Sequence, residues 1–143
     1  MADRVIAGRP IVAGEVEGDA LVTHDAFSFW GGFDFRTGRI IDQRHPLVGV
    51  RASGCILAVP FSKGSSTTTA VLLEAVRAGT APAAIVTTGV DTFFALAAIV
   101  ADTMYGRTFP VIALSAPDFA TLRTGVRLRI DRDGTIHPVD RVC

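Results

Sequence analysis

Residues Gly64-Ser65-Ser66-Thr67-Thr68-Thr69 set a run of hydroxyls behind a glycine, directly ahead of the apolar helical pattern Ala70-Val71-Leu72-Leu73-Glu74-Ala75-Val76. Before them, Cys55-Ile56-Leu57-Ala58-Val59-Pro60 reads as a short buried strand. A strand, a glycine turn and a helix opening gather unpaired backbone N–H groups at one spot, and the helix adds partial positive charge there. Such a spot suits an anion or a nascent alkoxide. Ser65 could serve as a base in that setting, or simply as a helix N-cap. Ser66 and Thr67 could equally cap the helix or donate to a bound substrate. Lys63, the only lysine in the chain, could place its charge on that substrate or be a solvated loop residue.

A second group of polar residues lies upstream, in Asp42-Gln43-Arg44-His45-Pro46. Pro46 forces an extended backbone on His45, whose ring could act as a base, touch a partner, or organise the loop through a hydrogen bond. Asp42 and Arg44 could pair across the turn. In Trp30-Gly31-Gly32 the adjacent glycines suggest close approach by another surface. The segment 27–50 lacks regular periodicity, and so long an irregular stretch is usually functional or interface-forming.

Other chemistries lack their signatures. The two cysteines, Cys55 and Cys143, cannot hold zinc or an iron–sulfur cluster by themselves, and His24 and His137 show no metal spacing, so no metal site is expected in this chain. Cys55 reads as an inert core residue and Cys143 as a mobile terminal one. No phosphate-binding or dinucleotide glycine motif occurs, and no Gly-x-Ser-x-Gly elbow. Fourteen basic and fourteen acidic residues cancel, which argues against nucleic acid or an anionic membrane as partner. The start, Met1-Ala2-Asp3-Arg4, has no signal-peptide pattern, and the apolar run 92–101 is too short to span a bilayer. A cytoplasmic protein is expected.

The elements that must position these residues follow from periodicity and punctuation. Residues 5–7 and 11–12 read as strands about the turn Gly8-Arg9-Pro10, with 15–22 returning antiparallel. Helices are expected over about 66–77, stopped by Gly79, over 91 to about 102, opened by a capping box from Thr88 to Asp91, and from Ser115 to about Arg123. Strands are expected over 83–87 and 111–114, then 125–130 and 135–139 about the hairpin turn Asp133-Gly134. A β-α-β-α-β centre flanked by antiparallel strands predicts an α/β fold with a mixed sheet and flanking helices, one domain over 1–143. The hydroxyl loop would then sit at the carboxyl end of a strand, where open α/β sheets place ligands.

Three segments together resemble one family: Trp30-Gly31-Gly32 with Thr37-Gly38-Arg39-Ile40-Ile41-Asp42, then Arg44-His45-Pro46-Leu47 with Gly49, then Gly64-Ser65-Ser66 with Val71-Leu72-Leu73-Glu74. Their order and spacing resemble the small subunit, or swivelling domain, of the aconitase X group. That group includes cis-3-hydroxy-L-proline dehydratases and mevalonate 5-phosphate dehydratases. The resemblance implies a swivelling β/β/α domain, and for a chain ending at residue 143 the separate-subunit form. It implies Ser65 as catalytic base; Lys63, Gly64, Ser66 and Thr67, its neighbours in the loop, would then be the substrate-binding candidates. Gly31, Gly32, Asp42, Arg44 and His45 would support the loop or an interface.

It further implies a heterodimer or higher assembly with a large subunit that carries an iron–sulfur cluster, none being bound by this chain alone. The assembly would act as a hydro-lyase on a small hydroxy acid. Where ordinary aconitases carry a carboxylate-clamping arginine after Gly-Ser-Ser, this chain has Thr67, which argues against a tricarboxylate. The arginine-heavy composition favours cis-3-hydroxy-L-proline, giving pyrroline-2-carboxylate, ahead of mevalonate 5-phosphate. The alternatives are a non-catalytic anion-binding or phosphocarrier swivelling module, with His24 as carrier, and a purely structural interaction protein.

Overall fold

The computed structural model describes residues 5–26, 28–63 and 67–139. Strands β1 (Ile6–Ala7) and β2 (Arg9–Val12) flank Gly8, and β3 is Val16–Val22. A short kinked helix, α1 (Phe29–Gly32), leads into the two-stranded ribbon of β4 (Phe33–Asp34) and β5 (Arg39–Ile40). The second half runs β6 (Ile56–Ala58), α2 (Thr67–Ala78), β7 (Ala84–Thr88), α3 (Thr92–Tyr105), β8 (Val111–Leu114), α4 (Ala116–Phe119), β9 (Arg127–Ile130) and β10 (Thr135–Pro138). Among the described residues no helix is long and apolar enough to cross a membrane.

Eight strands form one mixed sheet in the order β1-β10-β9-β3-β6-β7-β8-β2. Its centre, β3-β6-β7-β8, is parallel, and antiparallel strands complete both ends. The fold class is therefore the expected α/β sheet with flanking helices. The pairing of the first strands differs from expectation: β3 does not return along β1 or β2, but lies antiparallel to β9 and parallel to β6. Ala20 and Leu21 of β3 are both buried, in two different cores, so this strand is covered on both faces, as an interior strand of the sheet is.

β1 and β2 are one residue apart in the chain yet end opposite edges of the sheet, which wraps until its edges nearly meet. Gly8 forms the seam. Its N–H donates to the Gly134 carbonyl at 3.1 Å, and a Cβ on Gly8 would lie 2.7 Å from that same oxygen. Any side chain there would force the edges apart.

Alternation along each strand sorts its residues into two cores. Ile56 and Ala58, Ala84 and Val86, Ile112 and Leu114 point inward, joining Leu128, Ile130, Ile136, Phe119 and Leu122. Leu57, Val59, Ile85 and Val111 point outward, under α2, α3 and the segment around Phe29, Phe33 and Ile40. Because both faces are covered, β6 and β8 are buried along their whole length and read as continuous apolar runs. Cys55 falls one residue ahead of β6 and is only half-buried, not a core strand residue.

The helix boundaries refine the expected ones. α2 ends at Ala78, where Gly79 takes φ 79°. Thr88 closes β7, and Asp91 itself is the N-cap of α3, accepting from the Phe93 and Phe94 N–H groups. α3 runs on to Tyr105, ending at Gly106 with φ 65°. Its outward Leu96 and Ile99 are exposed, so this mostly apolar helix is only partly a core element. α4 is a single turn with Ser115 as cap, shorter than expected. The segment 27–50 also carries more order than its sequence suggests, holding α1 and the β4–β5 ribbon.

Candidate functional site

Parallel neighbours β6 and β7 bring their following loops side by side. Val59 N–H donates to Val86 O and Thr88 N–H to Pro60 O, both at 3.0 Å, which keeps the two chains paired beyond the strands. Asp91 then reaches across. Its Oδ2 accepts the Ser62 N–H at 2.6 Å, and its Oδ1 accepts the Ser62 hydroxyl at 3.1 Å along with the Phe93 and Phe94 N–H groups at 3.1 and 3.2 Å. Thr69, buried in the first turn of α2, donates its hydroxyl to Phe93 O at 3.3 Å. The first turns of α2 and α3 therefore lie together beside Ser62 and Lys63.

Gly64, Ser65 and Ser66, the expected catalytic turn, lie outside the described residues, as does Cys143. Both flanks of the turn are described. Lys63 precedes it, exposed and without an ion-pair or hydrogen-bond partner among the described residues. Thr67, half-buried, opens α2 on the other side.

Lys63 faces an open cleft of about 600 Å³ whose other walls include Asp25, Asp42, Arg44, His45 and Pro46. The structure thus joins two candidate groups that the sequence separates. Arg44 is exposed, and its guanidinium does not pair with Asp42; the Asp42 carboxylate accepts the Arg44 backbone N–H instead, at 3.0 Å. That turn satisfies the carboxylate locally and leaves the guanidinium at the cleft. Two cations and two carboxylates border one hollow.

His45 is buried and holds this wall in place. Its Nδ1 accepts the Leu47 N–H at 3.1 Å, so the hydrogen-bond network puts the ring proton on Nε2. Nε2 lies 2.9 Å from Asp25 O and 3.2 Å from Thr23 Oγ1. Thr23 in turn accepts from the Asp25 N–H at 3.0 Å. Nδ1 thus closes the 42–47 loop on itself while Nε2 ties that loop to the segment after β3, and both ring nitrogens are engaged.

Gly31 and Gly32 stand beside this wall rather than on it. Gly32 O accepts the Ile41 N–H at 2.9 Å, joining the α1 turn to the strand that leads into Asp42. Gly31 takes φ 75°, and a Cβ there would meet nothing within 4 Å. Its glycine answers to backbone conformation, not to close approach by another part of the chain. Trp30 is 67% exposed, while Phe29 and Phe33 are buried.

Remaining sequence candidates lie apart. His24 is exposed, with its ring edge-on to Phe119 at 6.0 Å. His137 contacts Asp131 at 2.7 Å on the β10 side. Burial, and then the nearby Asp19 carboxylate, push the Cys55 thiol above its ordinary value, so it is a poor nucleophile. No group of three or more His, Cys, Asp or Glu suited to a metal occurs among the described residues. An iron–sulfur cluster asks for several thiolates, and Cys55 is the single described cysteine, so these residues do not fit one.

The link between Ser62 and Asp91 escaped sequence reasoning. The sequence read Asp91 as the closing residue of a capping box begun by Thr88; Asp91 is the cap itself, and its bond to Ser62 depends on β6 and β7 being neighbours.

Residues 5–138 match the family model described as the aconitase X swivel domain. A cis-3-hydroxy-L-proline dehydratase of Pseudomonas aeruginosa is 41% identical over 136 residues, covering 90% of this chain and 23% of that protein. The chain likewise spans only 19% of a second such dehydratase, from Hypocrea jecorina. The phosphomevalonate dehydratase small subunit of Thermococcus kodakarensis is 33% identical, with 90% of each chain covered. Among solved structures, Thermococcus kodakaraensis aconitase X in its holo-form superimposes with a TM-score of 0.85 at 31% identity, covering 96% of this chain and 99% of that one. On the sequence match and the shared fold together, the chain belongs to the aconitase X swivel-domain family.

Proposed function

We propose that this chain is the swivelling small-subunit component of an aconitase X-type dehydratase, with Ser65 as the base that removes the proton beside a substrate carboxylate. The observation that carries the reading is the cleft at Lys63. Lys63 and Arg44, neither side chain with an ion-pair partner among the described residues, border one hollow, and Lys63 immediately precedes Gly64-Ser65-Ser66 in the sequence. Cations there can hold the substrate's carboxylate. The positive ends of α2 and α3, lying together, favour the serine alkoxide over the neutral hydroxyl.

In this scheme the proton passes to Ser65 Oγ while the hydroxyl on the adjacent carbon departs, completing loss of water. The described residues offer no acid placed for that departure, and we assign it to a larger partner subunit that carries an iron–sulfur cluster. The reading is of a heteromeric assembly, inactive in either part alone.

Two substrates compete. The 41% identity to the Pseudomonas protein favours cis-3-hydroxy-L-proline, dehydrated to pyrroline-2-carboxylate. End-to-end likeness to the archaeal small subunits favours mevalonate 5-phosphate.

The test is reconstitution with an aconitase X large subunit, followed by assay of both hydroxy acids. We expect turnover only from the mixture, on one of the two substrates, and a fall of about 10³-fold or more in kcat for Ser65→Ala with assembly intact. Turnover near wild type in Ser65→Ala would refute the assignment of the base.

A further inference from the structure

We propose that Asp91 is a positioning residue for the catalytic turn, holding both of its flanks to the first turn of α3; the inference rests on the function proposed above. The turn 64–66 is bracketed by two described contacts. Ahead of it, Ser62 gives its N–H and its hydroxyl to the two oxygens of Asp91, at 2.6 and 3.1 Å. Behind it, Thr69 donates to the carbonyl of Phe93, two residues past Asp91, at 3.3 Å. Asp91 and Phe93 belong to one rigid unit because the same carboxylate caps the helix through the Phe93 and Phe94 N–H groups.

Capping alone does not call for an aspartate, since serine or asparagine caps about as well. The second oxygen is what the cap leaves unexplained. Oδ2 makes the shortest of the four bonds, to the Ser62 N–H, and an asparagine would turn an amide toward that donor. The carboxylate therefore matches a residue that must accept on both oxygens. Ser62 is one residue from Lys63, so the same bond also sets where the lysine enters the cleft.

The experiment uses the reconstituted assembly with Asp91→Asn, Asp91→Ser and Ser62→Ala, beside wild type and Ser65→Ala. Both Asp91 variants retain a good cap, and at least one is expected to fold and assemble normally. We expect kcat to fall about 10²-fold in the Asp91 variants, as a misplacement near 1 Å would cause, with KM changed less than about threefold. Ser62→Ala, which keeps its N–H, should lose about tenfold or less.

Amide hydrogen exchange supplies a readout independent of turnover: the residue-62 N–H should exchange faster in both Asp91 variants and stay protected in Ser62→Ala. Unchanged exchange at residue 62 overturns the clamp. Faster exchange with wild-type kcat makes Asp91 structural only and equally overturns the proposal. Wild-type turnover in Asp91→Asn beside an inactive Ser65→Ala removes the role of Asp91 and leaves the base intact. An active Ser65→Ala removes the base, and the positioning role with it.

Discussion

On the inner face of the sheet, residues such as Ile56, Val86, Ile112, Ile130 and Ile136 meet in an aliphatic core closed by Phe119 and Leu122. On the outer face the alternate positions of the same strands carry Leu57, Ile85 and Val111, but also the buried polar residues. Thr23 follows Leu21, and Thr87 follows Ile85, on that outward alternation; His45, Thr68 and Thr69 come from the elements laid over it. The contrast separates two demands on one sheet. The inside needs only volume and apolarity, which many sequences supply. The outside must bury hydroxyls and an imidazole beside the half-buried Asp91 carboxylate, most of them with a partner in place, at the strand ends where the cleft opens. Damage to the inner face should cost stability, and damage to the outer polar set should cost function as well.

The sharpest way to break this contrast is a deletion inside the inner core. Ile130→Ala should lower unfolding free energy by about 2–5 kcal/mol, as buried large-to-small changes do, while the folded fraction keeps its kcat. Denaturant titration and turnover of the assembled protein would read the two effects. A parallel loss of kcat would mean that the faces are coupled.

Next in size, His45→Ala should cost about 1–3 kcal/mol by leaving buried partners unsatisfied, and should also weaken substrate binding as the 42–47 wall loosens. Wild-type KM in that variant would detach the wall from the site.

The smallest effect belongs to an exposed residue in the turn of the β9–β10 hairpin, away from the cleft and outside the buried core. The Thr135 backbone N–H bonds the Asp133 carboxylate and holds its pKa below the usual range. A carboxylate with a depressed folded-state pKa contributes stability above its unfolded value, and that contribution disappears as pH falls through the lowered one. Asp133→Ala should therefore melt slightly below wild type near neutrality, with the gap closing below about pH 4. A gap that widened in acid would contradict the assignment.

How far the fold could be read ahead varied with how local its causes are. Gly79 ends α2 through a left-handed φ value, and Ser115 caps α4 through a bond spanning three residues. Such features are written in neighbouring positions. The hydroxyl-rich turn after a buried strand was legible for the same reason, and the family likeness rested on contiguous motifs. By contrast, the Asp42–Arg44 relation was misjudged because a backbone N–H competed successfully with the guanidinium for the carboxylate. At Gly31 a conformational need and a close approach leave the same letter in the sequence, and φ 75° accounts for the glycine by conformation.

By itself, then, the amino-acid order determined the β-α-β-α-β centre, the starts of α2, α3 and α4 to within about a residue, and the group of residues able to do chemistry. Only the tertiary structure decided that β1 and β2 part to opposite edges, that Lys63 meets Arg44 and His45 at one cleft, and that Asp91 reaches Ser62. Local geometry follows from torsional preference and hydrogen bonds a few residues long. Partnership between segments 22 to 130 residues apart is settled by which arrangement buries both faces of the sheet while leaving few polar groups unpaired, and no window of sequence contains that competition.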